Sequence, residues 1–397
     1  MKMISRDIER QMKRSSWIRK MFEKGAELKK EFGADNVFDF SLGNPDIPPP
    51  AETASILRAM ADEVSQPLGM GYCPNAGLPP FRAALAQKLT IEQNMPMAAE
   101  NLVVTCGAAG ALTSFFRAVL EVGDEVICPA PCFVEYGAYC GHFGGILKMV
   151  PSKTPGFHLD TDALKASLTD KTRVILINSP NNPSGCVYSD EELRCLGDWI
   201  ESVNAERARP LYLVSDEPYR FLVYDGIEVP PVLPLTRYAI VLGSFSKKLS
   251  IPGERIGYMA ANPSMPDVSL LINAVTMTNR TLGFVNAPVL GQRLALQLLD
   301  AGVDLRIYSH RRDAMAKVLS DAGIRYSMPE GTFYFFPEAP GGDDVKFVND
   351  LLRHNVLAVP GTGFGFPGYF RLSFCVDEDV ICRSGPAFKA VAEAYKK

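Results

Sequence analysis

A chain of 397 residues, 47% apolar and 22% charged, is long enough to bury more than one core and has the composition of an ordinary globular protein. Its 41 basic and 45 acidic residues leave a net charge of −4, which offers no field for nucleic acid or an anionic membrane. Nine cysteines without a C-x-x-C pair, and the dispersed His142, His158, His310 and His354, argue against a metal site, and no run approaches the roughly 20 apolar residues of a membrane span, so a cytosolic protein with reduced thiols is expected.

Taken in order, Ile8, Met12, Trp17, Met21 and Leu28 recur at helical spacing among charges from Arg6 to Phe32, predicting an amphipathic helix that closes at Gly33. A short strand at 38–42 and the proline-rich stretch after Gly43-Asn44-Pro45-Asp46 predict a crossing between two structural units. Helical patterns follow at 52–64 and 79–94, separated by a turn-rich loop carrying Tyr72. Apolar runs at 102–105, 125–128, 145–150, 173–178, 211–215, 238–243 and 256–260 alternate with helical patterns at 109–121, 133–142, 161–167 and 190–204, with a further helix at 287–299. Strand and helix in alternation predict an α/β unit, a mostly parallel seven-stranded sheet flanked by helices, with ligands at the carboxyl ends of the strands. From Asp304 the order becomes a helix at 304–322, short strands near 332–336, 356–359 and 369–374, and helices at 345–354 and 377–395, predicting a smaller α+β unit.

The residues with chemical potential fall at predicted strand ends. Lys247 stands just past the apolar run 238–243, with Ser244 three residues before it and Arg255 eight after. A lysine is a nucleophile only as the neutral amine, which desolvation and a neighbouring cation, Lys248 or Arg255, would supply. A hydroxyl and a guanidinium beside it suit a phosphate. Asp216 and Tyr219 follow the strand at 211–215: a carboxylate there could cap the next segment, or it could keep a pyridinium nitrogen protonated while the phenol bonds the ring oxygen. Cys106-Gly107-Ala108-Ala109-Gly110 reads as a strand, a small-residue turn and a helix start whose free N–H groups could hold a phosphate. Asn178-Ser179-Pro180-Asn181-Asn182-Pro183-Ser184-Gly185 ends another strand with turn formers.

Together these motifs resemble the class I/II aminotransferases of the pyridoxal-phosphate fold type I, over nearly the whole chain. The resemblance implies pyridoxal 5'-phosphate as cofactor, with Lys247 as its Schiff-base lysine, Asp216 on the pyridine nitrogen, and Tyr219 and Asn182 on the ring oxygen. It implies Ser244, Arg255, Ala108 and Ala109 on the phosphate, Phe133 stacked on the ring where many relatives have tyrosine or tryptophan, and Tyr72 reaching the phosphate of a neighbouring subunit. Arg371 in Phe370-Arg371-Leu372-Ser373 is implied to bind the substrate α-carboxylate, with Gly43 lining that site. The implied division is a large cofactor-binding domain at 46–290 and a small domain from 1–45 and 291–397, in a homodimer with shared active sites.

The implied activity is transfer of an amino group between an L-amino acid and a 2-oxo acid. The same scaffold carries carbon–sulfur lyases, which the cofactor residues do not separate. A non-catalytic cofactor-sensing domain would need a basic DNA-binding region ahead of the Ser41-Leu42-Gly43 segment, where forty residues stand. Arg280 lies near the place where aspartate-specific relatives position an arginine from the partner subunit, one residue further from Pro288 than their pattern; a clamp for a second carboxylate and a surface arginine both fit.

Overall fold

The computed structural model describes residues 3–5, 8, 9, 12 and 17–396. The first part of the expected N-terminal helix, from Arg6, lies partly outside those residues. From Trp17 it is present as the helix Trp17–Phe32, and Gly33, at φ 83°, ends it. A two-residue strand β1 (Phe38–Asp39) follows.

Seven strands then appear within two residues of their expected places: β2 (Leu102–Cys106), β3 (Glu125–Ala130), β4 (Ile146–Pro151), β5 (Thr172–Asn178), β6 (Tyr212–Asp216), β7 (Ala239–Ser244) and β8 (Ile256–Ala261). They form one sheet in the order β2-β8-β7-β6-β5-β3-β4, with β8 antiparallel to both neighbours and the other pairs parallel. Successive residues of a strand point to opposite faces, so Val174 and Leu176 enter one apolar layer and Ile175 and Ile177 the other. All seven residues of β5 are buried, which is why the run is apolar without alternation.

One layer is closed by Phe115 and Phe116 of the helix Gly107–Val119 and by Val275 of the helix Val268–Thr281. The second of these is absent from the sequence expectations. Leu271, Ile272, Val275 and Asn279 are its buried face at helical spacing, while its outer face carries few charges, which blurs the amphipathic signal. The opposite layer is closed by the helices Pro79–Glu92, Asp190–Asn204 and Val289–Gln297.

A separate core holds Phe40, Tyr308, Met315, Leu319, Phe347 and Phe388. It lies among the helices Trp17–Phe32, Leu305–Ala322, Asp344–Leu352 and Glu378–Glu393 and the short strands β9 (Tyr334–Phe335), β10 (Val356–Leu357), β11 (Val359–Pro360) and β12 (Phe370–Ser373). β1 pairs with β10, and β12 lies between β11 and β9. Leu294, Ala295, Leu298 and Leu299 belong to the core of the large sheet, so residue 291 falls inside a helix packed on that sheet. Among the described residues no helix is long and apolar enough to cross a membrane.

Candidate active site

The sheet register places the functional residues. Cys106 is opposite Ile256, Ser244 opposite Gly257, Leu242 opposite Asp216, and Asp216 opposite Asn178, so four strand ends and the turns after them share one edge. A cavity of about 310 Å³ opens there. Of the residues expected in the site, Gly43, Ala108, Ala109, Phe133, Asn182, Asp216, Tyr219, Ser244, Lys247, Arg255 and Arg371 all line it.

Lys247 lies on a single helical turn, Phe245–Lys248, immediately after β7. Its amine donates to the Gly43 carbonyl and lies 5.5 Å from the centre of the Phe333 ring. Burial pushes it down to about 8, and the Arg371 and Arg255 guanidiniums act in the same direction. The expected role of Lys248 is corrected here. Its amine turns away to donate to Leu299 O at 2.9 Å, and it is not among the charges that shift Lys247.

Asp216 is buried at the end of β6 and accepts a hydrogen bond from Tyr136 Oη at 2.6 Å on Oδ2. Its Oδ1 is buried without a partner. Burial lifts this carboxyl to about 6, against the Tyr136 bond and with the help of Glu217. Asn178 donates to Asp216 O at 2.7 Å and accepts from Asn182 N at 2.7 Å, which fixes the turn after β5 to the end of β6.

At the other end of the cavity the helix Gly107–Val119 begins, with Ala108 and Ala109 in its first turn. The Arg255 guanidinium lies against that start: a Cβ on Gly107 would come 2.7 Å from Nη2. Gly257 permits the approach of β8, because a Cβ there would come 2.5 Å from Gly107 C and 2.7 Å from Ala108 N. Ser244 Oγ accepts from Ser246 N at 3.1 Å and contacts Ser246 Oγ at 3.0 Å, and both serines line the same cavity as Arg255. Free N–H groups, hydroxyls and an arginine make a cradle for a dianion.

Arg371 of β12 is buried, stacked between the rings of Tyr334 at 4.5 Å and Phe364 at 4.9 Å. Its Nη1 donates to Asn182 Oδ1 at 3.1 Å and its Nη2 to Ser41 O at 2.6 Å, while Nε is buried without a partner. Tyr219 Oη is 3.0 Å from Tyr334 Oη. Tyr136, Tyr334 and Ser246 line the cavity although no expectation gave them a role, and so does Asn178, which was expected only as the start of a turn motif. Tyr136 falls in a predicted helix and Tyr334 in a predicted strand, and only their tertiary neighbours give them a role.

Tyr72 and Arg280 do not reach this cavity. Tyr72 is 90% exposed on its loop, and Arg280 is exposed in the last turn of the helix Val268–Thr281.

The sequence matches the family Aminotransferase class I and II over residues 35–383. A probable aspartate/prephenate aminotransferase of Aquifex aeolicus is 34% identical over 370 residues, covering 90% of each chain. The crystal structure of an amino transferase from Eubacterium rectale superposes with a TM-score of 0.94 at 38% identity over 100% of both chains. Thermus thermophilus aspartate aminotransferase with maleate superposes with a TM-score of 0.86 at 28% identity, over 98% of this chain and 100% of that one. Fold and relatives define a transaminase of fold type I, an enzyme that moves an amino group between an amino acid and a 2-oxo acid. The chain belongs to the class I and II aminotransferases, a family that uses pyridoxal phosphate.

Proposed function

We propose that this transaminase uses pyridoxal 5'-phosphate carried on Lys247 and takes a dicarboxylic amino acid, aspartate or glutamate, as donor. The observation that carries the cofactor reading is the buried, unpartnered Oδ1 of Asp216, a residue that lines the same cavity as the dianion cradle. A protonated ring nitrogen would satisfy that oxygen and repay its desolvation. When bound, the pyridine ring supplies an electron sink for the pair left at the substrate's α-carbon. Asp216 holds the ring proton, and Tyr219 and Asn182 meet the ring oxygen. Phe133 packs on the ring face, and Ser244, Ser246, Arg255 and the amides of Ala108 and Ala109 hold the phosphate.

Arg371 receives the α-carboxylate, for which its unpartnered Nε is free to donate. The Lys247 amine, neutral at mildly alkaline pH, would be the group that takes up and returns the substrate's α-proton. A dicarboxylate donor is supported by relatives named as aspartate aminotransferases; in the proposed dimer the exposed Arg280 would clamp the second carboxylate in the neighbouring site, and Tyr72 would reach the neighbouring phosphate. The working unit proposed is a cytoplasmic homodimer, each chain divided into the large domain on the seven-stranded sheet and the small domain around the second core.

A half-reaction screen tests the reading: each amino acid is added to the purified holoenzyme and the loss of lysine-bound cofactor absorbance is followed. Fastest conversion with aspartate or glutamate is expected. Conversion confined to neutral amino acids would remove the dicarboxylate assignment, and absence of the visible band in protein reconstituted with pyridoxal phosphate would remove the cofactor.

A further inference from the structure

Of the stretches of chain that run between the core of the large sheet and the second core, which include residues 219–224 and the returns at Phe336 and Val359, two pass beside the turn that carries Lys247. One runs from Phe40, in the second core, through Gly43 and Ile47 to the helix Thr53–Val64. The other runs from Leu299, in the core of the large sheet, to Val303, in the second core.

Both stretches are held by the turn that carries Lys247. Lys247 Nζ donates to Gly43 O and Ser250 Oγ donates to Ile47 O. Lys248 Nζ donates to Leu299 O at 2.9 Å, and Lys248 O accepts from Val303 N at 3.1 Å. Ser250 is buried at φ 52°, a left-handed conformation that an L-residue with a side chain keeps only where its surroundings impose it. The first stretch is in turn fixed to the second body, because Arg311 of the helix Leu305–Ala322 grips Asp46 through two parallel bonds of 2.7 and 2.8 Å.

We propose that Lys248 is a positioning residue for amino transfer: with Ser250 it ties the catalytic turn to both connections, so that the place of the Lys247 amine follows the orientation of the body that carries Arg371. The amine that moves the proton and the arginine that takes the carboxylate are then adjusted together, although they stand on different cores. A lysine that only satisfied Leu299 O would affect stability and nothing else. The inference rests on the reading of Lys247 as the cofactor-bearing lysine.

The test uses purified holoenzyme with Lys248→Met, Lys248→Arg and Ser250→Ala. Methionine keeps much of the stem and removes the donor; arginine restores one. Misplacement of a reacting group by a fraction of an ångström acts on the chemical step, so Lys248→Met should lower kcat about tenfold or more while KM changes less than about threefold. The visible band of lysine-bound cofactor should titrate at a pH shifted by about half a unit or more, and Lys248→Arg should recover most of kcat. If Lys248→Met fails to fold, Ser250→Ala carries the same expectation, because it cuts the tie to the other connection. Wild-type kcat and titration in the variant overturn the proposal, and so does a fall in kcat matched by an equal loss of cofactor occupancy. Borohydride reduction and peptide mapping of the wild type check the underlying reading separately: a label away from Lys247 would sink that reading itself, whatever the variants do.

Discussion

Lys247 and Asp216 are shifted mainly by the same cause, removal from water, and in both the shift favours the uncharged form. With its amine near 8, Lys247 is about half neutral at mildly alkaline pH, where an exposed lysine, near 10.4, is almost wholly protonated. Cofactor-free protein should therefore form a reducible adduct with an aldehyde at Lys247, and the rate should rise through about pH 8 and then level off. Lys248 also lies near 8, through burial and the nearby Lys88, so the label must be mapped. A label mapped to Lys248 alone would refute the assignment. For Asp216 the sign is opposite to that of an ion-paired carboxylate. Its folded value near 6 stands above the unfolded value near 3.9, so between those pH values the folded chain keeps a proton that the unfolded chain releases. This group lowers stability as pH rises through about 4 to 6, and the loss remains above. Removing it, as in Asp216→Asn, should flatten the thermal stability of the cofactor-free protein across that window relative to wild type. Identical profiles would show that the carboxyl titrates normally. In the holoenzyme, Asp216→Ala should slow α-proton abstraction by several orders of magnitude with the fold retained, because the ring nitrogen loses the charge that keeps it protonated.

At the scale of elements, the site is assembled where a β-strand ends and the next segment must come close, and glycines set how close. The segment around Lys247 holds a sharp internal contrast. A Cβ on Gly253 would meet nothing within 4 Å, whereas one on Gly257 would strike the backbone of Gly107 and Ala108, where the helix Gly107–Val119 begins. Gly253→Ala should thus fold, bind cofactor and turn over within about 0.5 kcal/mol of wild type. Gly257→Ala should separate β8 from the helix start and weaken cofactor binding strongly, at a cost of about 1 to 3 kcal/mol in stability. Equal behaviour of the two in melting and cofactor titration would contradict the packing described. Gly43 is a similar case on the substrate side. A Cβ there would come 1.8 Å from Tyr334 Oη, so Gly43→Ala must displace Tyr334 from Tyr219 and Arg371. A several-fold rise in KM for the amino acid is expected, with the cofactor still bound; an unchanged KM would count against it.

For the whole molecule, the residues left outside the cavity are the informative ones. Leu68, Met70 and Tyr72 are 87%, 61% and 90% exposed on one loop, a costly display of apolar surface for an isolated chain. A dimer in sedimentation at assay concentration is expected. Mixing a Tyr72→Ala chain with a Lys247→Ala chain should restore partial activity through hybrid sites, and an active monomer would exclude the arrangement. If Arg280 enters the neighbouring site, Arg280→Ala should raise the KM for aspartate strongly and leave alanine turnover nearly unchanged. Equal losses for both, or none for aspartate, would return Arg280 to the surface.

The strands of the large sheet and the edge where ligands gather follow from the sequence, because each depends on local signals, an apolar run or a strand end; of the eleven expected residues that line the cavity, Lys247, Ser244, Arg255 and Asp216 stand on short motifs at strand ends, whereas Gly43, Phe133 and Arg371 are implied by the family resemblance alone. The helix Val268–Thr281 escaped because its outer face is hardly charged, and burial rather than amphipathic contrast stabilises it. Only the tertiary structure could decide that Lys248 points away from the amine beside it, since two adjacent residues on a one-turn helix face different surroundings. The same holds for Tyr136 on Asp216, Tyr334 between Tyr219 and Arg371, and the ties from Lys248 and Ser250 to two distant connections. These contacts join residues from 37 (Tyr334 and Arg371) to 203 positions apart (Ser250 and Ile47), and no local pattern carries information about a partner that close in space and that far along the chain.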